Sequence, residues 1–474
     1  METKAKVFFE RLKGKKIAVI GVGVSHTDLI RMLHKKGLDV IVYDKRTAEQ
    51  LGELYDEFHA LGIPMELGPK YLFKLGGEDI IFRTPGMNYH TPELEMARRA
   101  GTVITSELEV FFDLCPCKII GVTGSDGKTT TTTLIAKMLE AAGKTVHLGG
   151  NIGRALLPEI ETVEATDYVV VELSSFQLIS MRQSPNVAVI TNISPNHLDV
   201  HKTMQEYIEA KCNIFAHQNG FSITVLNADD KISSKFAPLV RGRLNQFSRQ
   251  SVVQRGAWMD ENGTIWFSNN DSQTKIINAS EIRLPGLHNV ENYLAAFSAV
   301  WKIVPKEIMA KIAREFGGVE HRIEFVRELD GVRWYNDSIA TSPTRTIAGL
   351  RSFDQKLVVI AGGYDKQIPF DPLVPELLEH VKTLILTGDT APKIEALLRA
   401  SPSFAASELT IVHADSLSDA VQQAATLAVE GDVVTLSPAC ASFDRYPNFE
   451  ARGKHFKELV NNLSPKNERI DYHG

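Results

Sequence analysis

The chain has 474 residues, with 52 Lys and Arg against 58 Asp and Glu, for a formal net charge of −6. Its length suggests about three domains at roughly 150 residues each, and the acidic balance gives the whole chain no electrostatic case for binding DNA or RNA. No apolar run approaches the ~20 residues needed to span a bilayer, so no membrane partner is expected, and the charged start from Met1 to Lys16 lacks the apolar centre of a secretion signal, which points to the cytoplasm.

Taken in order, residues 16–21 (Lys-Ile-Ala-Val-Ile-Gly) read as a buried strand. Gly21-Val22-Gly23-Val24-Ser25-His26 and a helix to Lys36 follow, then a second strand from Val40 to Tyr43 that ends in Asp44-Lys45-Arg46. This is the opening of a Rossmann-type unit with an acidic residue closing its second strand. The dinucleotide fingerprint is incomplete, because its third glycine falls at His26, which weakens a nicotinamide-dependent dehydrogenase reading. Asp79 to Phe82 is a further strand, with Arg83-Thr84-Pro85-Gly86 as the turn after it. Ligands of open α/β sheets sit at the carboxyl ends of strands, so these three polar ends outline a ligand site.

The dominant signal is Lys118 to Thr131: an apolar run, then Thr123-Gly124-Ser125-Asp126-Gly127-Lys128-Thr129-Thr130, then a helical pattern to Glu140. A strand, a glycine-rich turn and a helix N-terminus make a phosphate loop, with backbone N–H groups and the helix dipole facing phosphate oxygens. Lys128 is placed to reach the β- and γ-phosphates and Thr129 to hold Mg²⁺. The loop is a compact variant, because the usual first glycine is Val122. Gly149-Gly150-Asn151 follows a short strand, and Tyr168 to Val171 is a strand ending at Glu172-Leu173-Ser174-Ser175. A carboxylate at such a strand end, near a phosphate loop, is where a nucleotide's metal is held. Asn186 to Asn192 is the next strand, followed by Asn196-His197-Leu198-Asp199 and a helix from about Thr203 to Phe215 that carries Lys211. His197 reads as functional in that setting, whereas Lys211 alone reads as a solvated helix-surface lysine.

Gly256 to Phe267 is a hairpin turning at Asp260-Glu261-Asn262-Gly263. Leu284 to Asn292 opens a helix that runs to Trp301, and His321-Arg322-Ile323-Glu324 leads into two short strands, the second ending at Asn336-Asp337-Ser338. Strand–helix alternation then resumes, with strands at Lys356 to Ala361, Thr383 to Leu386 and Asp432 to Leu436. The fold expectation is α/β in three domains: a Rossmann-like domain at 1–112, a phosphate-loop ATPase-like parallel sheet at 113–318 and a second Rossmann-like domain at 319–474. The cysteines (Cys115, Cys117, Cys212, Cys440) show no zinc-type spacing and read as reduced thiols.

These motifs, in this order and over nearly the whole chain, resemble the Mur ligase family of ATP-dependent amide-bond-forming enzymes. Glu172 to Leu178 and Leu436 to Asp444 are similar to the member that adds D-glutamate to UDP-N-acetylmuramoyl-L-alanine in peptidoglycan synthesis. The resemblance implies ATP contacts at Gly124, Ser125, Asp126, Gly127, Lys128, Thr129, Thr130, Asn289, Asn292, Arg322 and Asp337. It implies two Mg²⁺ ions served by Thr129, Glu172, His197 and a CO₂-derived carbamate on Lys211, with Lys128, Glu172, His197 and Lys211 as the catalytic set. A carbamate turns a cation into an anionic oxygen ligand, and a charge of one sign or the other ~4 Å from a metal changes the energy by about 4 kcal/mol per unit at an effective dielectric of ~20.

The UDP-sugar substrate would lie against Ser25, Asp44, Lys45, Arg46, Thr84, Asn151, Ser174 and His197. D-glutamate would lie against Thr341, Lys366, Ser437 and Tyr446. Some members carry a lysine two residues after the Asn-Asp-Ser aspartate, and here that position is Ile339, so Lys366 stands as its replacement. The three domains would then bind the UDP-substrate, ATP and the amino acid respectively, in a monomer with hinges near residues 112 and 318. The competing expectations are a Mur-type ligase with another amino-acid acceptor, a folate polyglutamating ligase, and a non-catalytic nucleotide-dependent binding protein.

Overall fold

Short β-branched runs that are apolar on both faces become parallel strands covered by helices on each side. Val187–Ile190 and Leu357–Ala361 are buried at every position for this reason. A computed structural model describes residues 3–152, 154–195, 201 and 203–466. Their contacts gather into two units: Met1–Glu281 with Glu291–Ile312, and Ile282–Val290 with Ala313–Gly474.

The first unit holds three sheets. The first is five-stranded and parallel, in the order Met65–Leu67, Asp39–Asp44, Lys16–Ile20, Ile80–Arg83, Val103–Thr105. The second is six-stranded and parallel, in the order Arg243–Phe247, Ile223–Asn227, Val187–Ile190, Lys118–Thr123, Tyr168–Glu172, Val146–Gly150. The third is antiparallel: Arg255–Met259 and Thr264–Asn269 form the expected hairpin around Asp260–Gly263, and Ser272–Asn278 adds a third strand. One hydrophobic cluster runs from Val19, Phe82 and Phe111 through Leu157, Val171 and Ile190 to Phe215. The segments on either side of residue 112 therefore share a core.

The second unit holds one mixed sheet, in the order Glu324–Leu329, Val332–Asn336, Val433–Leu436, Leu357–Ala361, Val381–Leu386, Thr410–His413. Its first two strands pair antiparallel and the rest are parallel. Helices fill its two faces, with Leu373 and Ile394 in one core cluster and Val421 and Phe456 in the other.

The sequence reading misses the first helix, Lys4–Leu12. It buries Ala5, Phe9 and Leu12 along one stripe, and its lysines and glutamates hide that spacing. It also misses the edge strand Thr410–His413, which is at most half-buried, and does not name the strands Met65–Leu67, Val103–Thr105, Ile223–Asn227 and Arg243–Phe247.

Candidate phosphate and metal site

The strand Lys118–Thr123 lies between Val187–Ile190 and Tyr168–Glu172. Their carboxyl ends deliver Gly124, Thr191 and Glu172 to one place. Gly124 and Gly127 both have positive φ, at 150° and 75°. A Cβ on Gly124 would lie 1.9 Å from Thr191 Oγ1, and one on Gly127 would lie 2.1 Å from Asn292 Oδ1. Neither position tolerates a side chain, which is why the turn can wrap so tightly. Gly127 caps the helix Lys128–Ala141 without using a side chain, so the first N–H groups of that helix face the loop's concave side.

Neighbouring backbone fixes the loop from behind. The Asn192 carbonyl accepts from Ser125 N–H at 2.9 Å and Asn192 Oδ1 from Asp126 N–H at 3.0 Å. Thr191 Oγ1 donates to the Asp126 carbonyl at 2.6 Å. Lys128 Nζ folds over the loop and donates to the Ser125 carbonyl at 2.8 Å. Thr131 Oγ1 donates to Asn292 Oδ1 at 3.3 Å, which ties the helix Leu287–Val300 to the one after the loop.

Glu172 ends its strand and is 1% exposed. One carboxylate oxygen accepts from Thr129 Oγ1 and the other from Asn151 Nδ2, each at 2.7 Å. A hydroxyl and a carboxylate beside a phosphate cradle suit Mg²⁺, which takes one or two protein oxygens and completes its shell with phosphates and water. Among the described residues no group of three His, Cys, Asp or Glu could hold a metal alone. His197, with Asn196 and Asp199, lies outside the described residues.

Lys211 is not a surface lysine. It is 2% exposed on the helix Met204–Ala216. Its Nζ donates to the Gly124 carbonyl at 2.8 Å and to Thr123 Oγ1 at 3.3 Å, and lies 4.7 Å from the Tyr207 ring centroid. Burial first, then the Lys128 ammonium, push it down to about 7, against the pull of Asp126 and Glu172.

In the first sheet, Asp44 accepts from Val22 N–H at 2.6 Å and from Arg46 Nε at 3.0 Å, and Arg46 Nη2 also donates to the Val22 carbonyl. Burial pushes the Asp44 carboxyl up, but Arg46 and the Val22 N–H outweigh it and hold the group below its ordinary value. Lys45 is exposed beside this pair, and Ser25 sits half-buried in the first turn of Val24–Lys35. Thr84 packs on Gly21, where a Cβ would meet its methyl at 3.0 Å. His26, at the broken fingerprint position, is buried with Nδ1 3.0 Å from the Ile20 carbonyl, and burial lowers it to about 4. Ser174 Oγ caps the turn Ser175–Leu178 by accepting from Gln177 N–H.

Sequence reasoning also missed Arg83, taken only as a turn residue. It is 1% exposed and donates to the carbonyls of Met87 at 2.8 Å and Phe176 at 3.0 Å. It thus ties the end of the first sheet to the segment after Glu172.

In the second unit, Asp337 is buried, and burial pushes its carboxyl up to about 7 despite Ser437 Oγ donating at 3.0 Å and Ile323 N–H at 3.3 Å. His321 and Ile323 flank Arg322 in left-handed conformations, with φ of 63° and 44°. Asn289 is buried and donates Nδ2 to the Pro285 carbonyl at 2.5 Å. Lys366 Nζ reaches the Thr341 carbonyl at 3.5 Å, while Tyr446 Oη pairs with His455 Nδ1 at 2.7 Å. Arg452, also missed, is buried and donates to the Ser338, Cys440 and Ala441 carbonyls. It holds the Ser338 turn against the segment after Ser437.

Three family models match the chain: the MurD-like N-terminal domain of Mur ligases at residues 15–106, the Mur ligase middle domain at 122–300 and the Mur ligase glutamate ligase domain at 321–440. The UDP-N-acetylmuramoylalanine–D-glutamate ligase of Acetivibrio thermocellus is 52% identical over 98% of this chain and 100% of its own. That of Clostridium acetobutylicum is 49% identical over 96% of this chain and 98% of its own. Among solved structures, the UDP-N-acetylmuramate–alanine ligase MurC of Thermotoga maritima aligns with a TM-score of 0.57 at 19% identity, covering 94% of this chain and 99% of that one. MurF ligase from Thermotoga maritima, solved in complex with ADP, aligns at 0.52 with 17% identity over 96% of each chain. Matched in sequence along nearly its full length, the chain belongs to the Mur ligase family.

Proposed function

We infer that this chain is an ATP-dependent ligase that joins D-glutamate to UDP-N-acetylmuramoyl-L-alanine in peptidoglycan synthesis. What carries the reading is 52% identity to a D-glutamate ligase over 98% of the chain. An amide cannot form directly from a carboxylate, because oxide is too poor a leaving group. The alanyl carboxylate therefore attacks the γ-phosphate, forming an acyl C–O–P linkage and releasing ADP. The D-glutamate amine then attacks the acyl carbon and loses a proton. The C–N bond forms and phosphate leaves with the C–O electron pair.

The loop's N–H groups and Lys128 hold the phosphates and gather negative charge as it moves, which is catalysis by positioning and charge neutralisation. Thr129 and Glu172 are the protein ligands for Mg²⁺, which when bound neutralises the phosphate oxygens; His197 serves a second ion. Lys211 accepts CO₂ as a carbamate. Its support is the buried amine held near 7, since only a neutral amine attacks CO₂.

Asn292 lies against the phosphate loop, a placement that supports a role at the nucleotide; Asn289, Arg322 and Asp337 are assigned to adenine, phosphate and ribose. Ser25, Asp44, Lys45, Arg46, Thr84, Asn151 and Ser174 are assigned to the UDP-sugar. Lys366 with Thr341, Ser437 and Tyr446 receives D-glutamate, and the Lys366–Thr341 contact favours Lys366 as the substitute cation for Ile339. The enzyme works as a cytoplasmic monomer, and no helix among the described residues is long and apolar enough to cross a membrane.

The test is phosphate release with ATP, Mg²⁺ and UDP-N-acetylmuramoyl-L-alanine while the added amino acid is varied. D-glutamate-dependent release that is abolished in Lys128→Ala is the expected result. Release only with L-alanine and UDP-N-acetylmuramate, or only with a diamino acid, would overturn the acceptor assignment.

A further inference from the structure

One cavity of the first unit lies away from the phosphate loop. It holds about 380 Å³ and lies between the six-stranded sheet, the antiparallel sheet and the end of the helix Leu287–Val300. Ile223 and Arg243, the first residues of their strands, line it. It therefore opens at the amino ends of a sheet whose carboxyl ends carry the phosphate loop. That volume is in the range of small-molecule sites, about 300–1,000 Å³.

Its lining has a definite chemistry. Arg243, Arg255 and Lys302 contribute three cations, and no carboxylate lines the cavity. Among the described residues none of the three has an ion-pair partner within 4.0 Å. Trp301 is half-buried and lies parallel on Phe267, with ring centroids 4.0 Å apart and planes 4° apart, so one face of the indole is covered and braced from behind. Asn245 is 5% exposed. Its Nδ2 donates to the Ser298 carbonyl at 2.8 Å, which fixes the amide's orientation. Its Oδ1 is then a buried acceptor without a donor. Cations and a braced aromatic face converge on one ligand type.

We propose that this cavity is a second nucleotide site, taking a nucleoside monophosphate whose base stacks on Trp301 and whose phosphate lies against Arg243, Arg255 and Lys302. Stacking on an aromatic face with cations on the phosphate is the general chemistry of nucleotide capture. Ser298, in the last turn of the helix Leu287–Val300, lines the cavity, and Asn292 of the same helix lies against Gly127 and Thr131.

The experiment is isothermal titration of AMP into the full chain already saturated with Mg²⁺, a non-hydrolysable ATP analogue and UDP-N-acetylmuramoyl-L-alanine, so that both expected nucleotide sites are filled. One further equivalent of AMP should bind. Arg243→Glu with Lys302→Glu should weaken it at least tenfold while D-glutamate-dependent phosphate release without AMP stays unchanged. Both residues are exposed, so the double variant should fold, and thermal melting checks this. Absence of an extra equivalent, or binding indifferent to the double variant, would overturn the proposal. So would inorganic phosphate binding there as tightly as AMP, since a base would then contribute nothing.

Discussion

Lys211 shows what a single residue's surroundings decide. From its helix alone it reads as solvated, the family resemblance sets it in the catalytic group, and the fold places it under the phosphate loop with two oxygen partners. Its ordinary value of 10.5 falls to about 7 in the folded chain. Between those values the unfolded chain binds the extra proton, so the stability penalty is full below about pH 7 and fades as pH rises toward 10.5. Lys211→Met should therefore stabilise the protein at pH 7 and flatten the rise of stability above it, measured as urea midpoints across pH. If Lys211 carries the carbamate, ¹³C-bicarbonate should give a carbamate resonance in the wild type that strengthens from pH 6 to 8 and is missing in Lys211→Arg. The same resonance in the variant would refute that role. Gly124, Gly127, Lys128, Thr129 and Glu172 were legible because phosphate chemistry dictates their types and spacing. Thr191 and Asn192, which brace the loop, were not, since hydrogen bonding across strands leaves no periodic trace.

At the level of elements, the central strands of both parallel sheets were readable as apolar runs, whereas Met65–Leu67, Val103–Thr105, Ile223–Asn227 and Arg243–Phe247 were not named from the sequence. Arg83 marks the other blind spot, a polar residue whose role is to join two elements. It ends the strand Ile80–Arg83 and donates to carbonyls on both sides of a junction. Ser180 Oγ, which also accepts from Arg83, donates to Glu109 Oε2 at 3.2 Å. Glu109 is itself pushed up by burial, with Arg83 opposing that push. Arg83→Met should cost about 1–3 kcal/mol, because it leaves the buried carbonyls of Met87 and Phe176 without their charged donor. Chemical denaturation would measure this, and adding Glu109→Gln should recover part of the loss. A loss below 1 kcal/mol would show that the guanidinium is not holding the junction.

The whole molecule divides into two contact units, so its unfolding should not be a single two-state event. Calorimetry should resolve more than one transition. A non-hydrolysable ATP analogue with Mg²⁺ should stabilise the phosphate-loop unit by about 2.7 kcal/mol at a hundred times its Kd, and Lys128→Ala should remove most of that shift. No shift in the wild type would argue that the loop does not bind nucleotide. The sequence could not show that Ile282–Val290 joins the second unit while Glu291–Ile312 returns to the first. That double return constrains synthesis. As the chain leaves the ribosome, Ile282–Val290 emerges before any other part of its own unit exists and must wait for Ala313 onward. A gene truncated at Ile312 would strand those nine residues permanently, so no single cut in the sequence separates the two units cleanly.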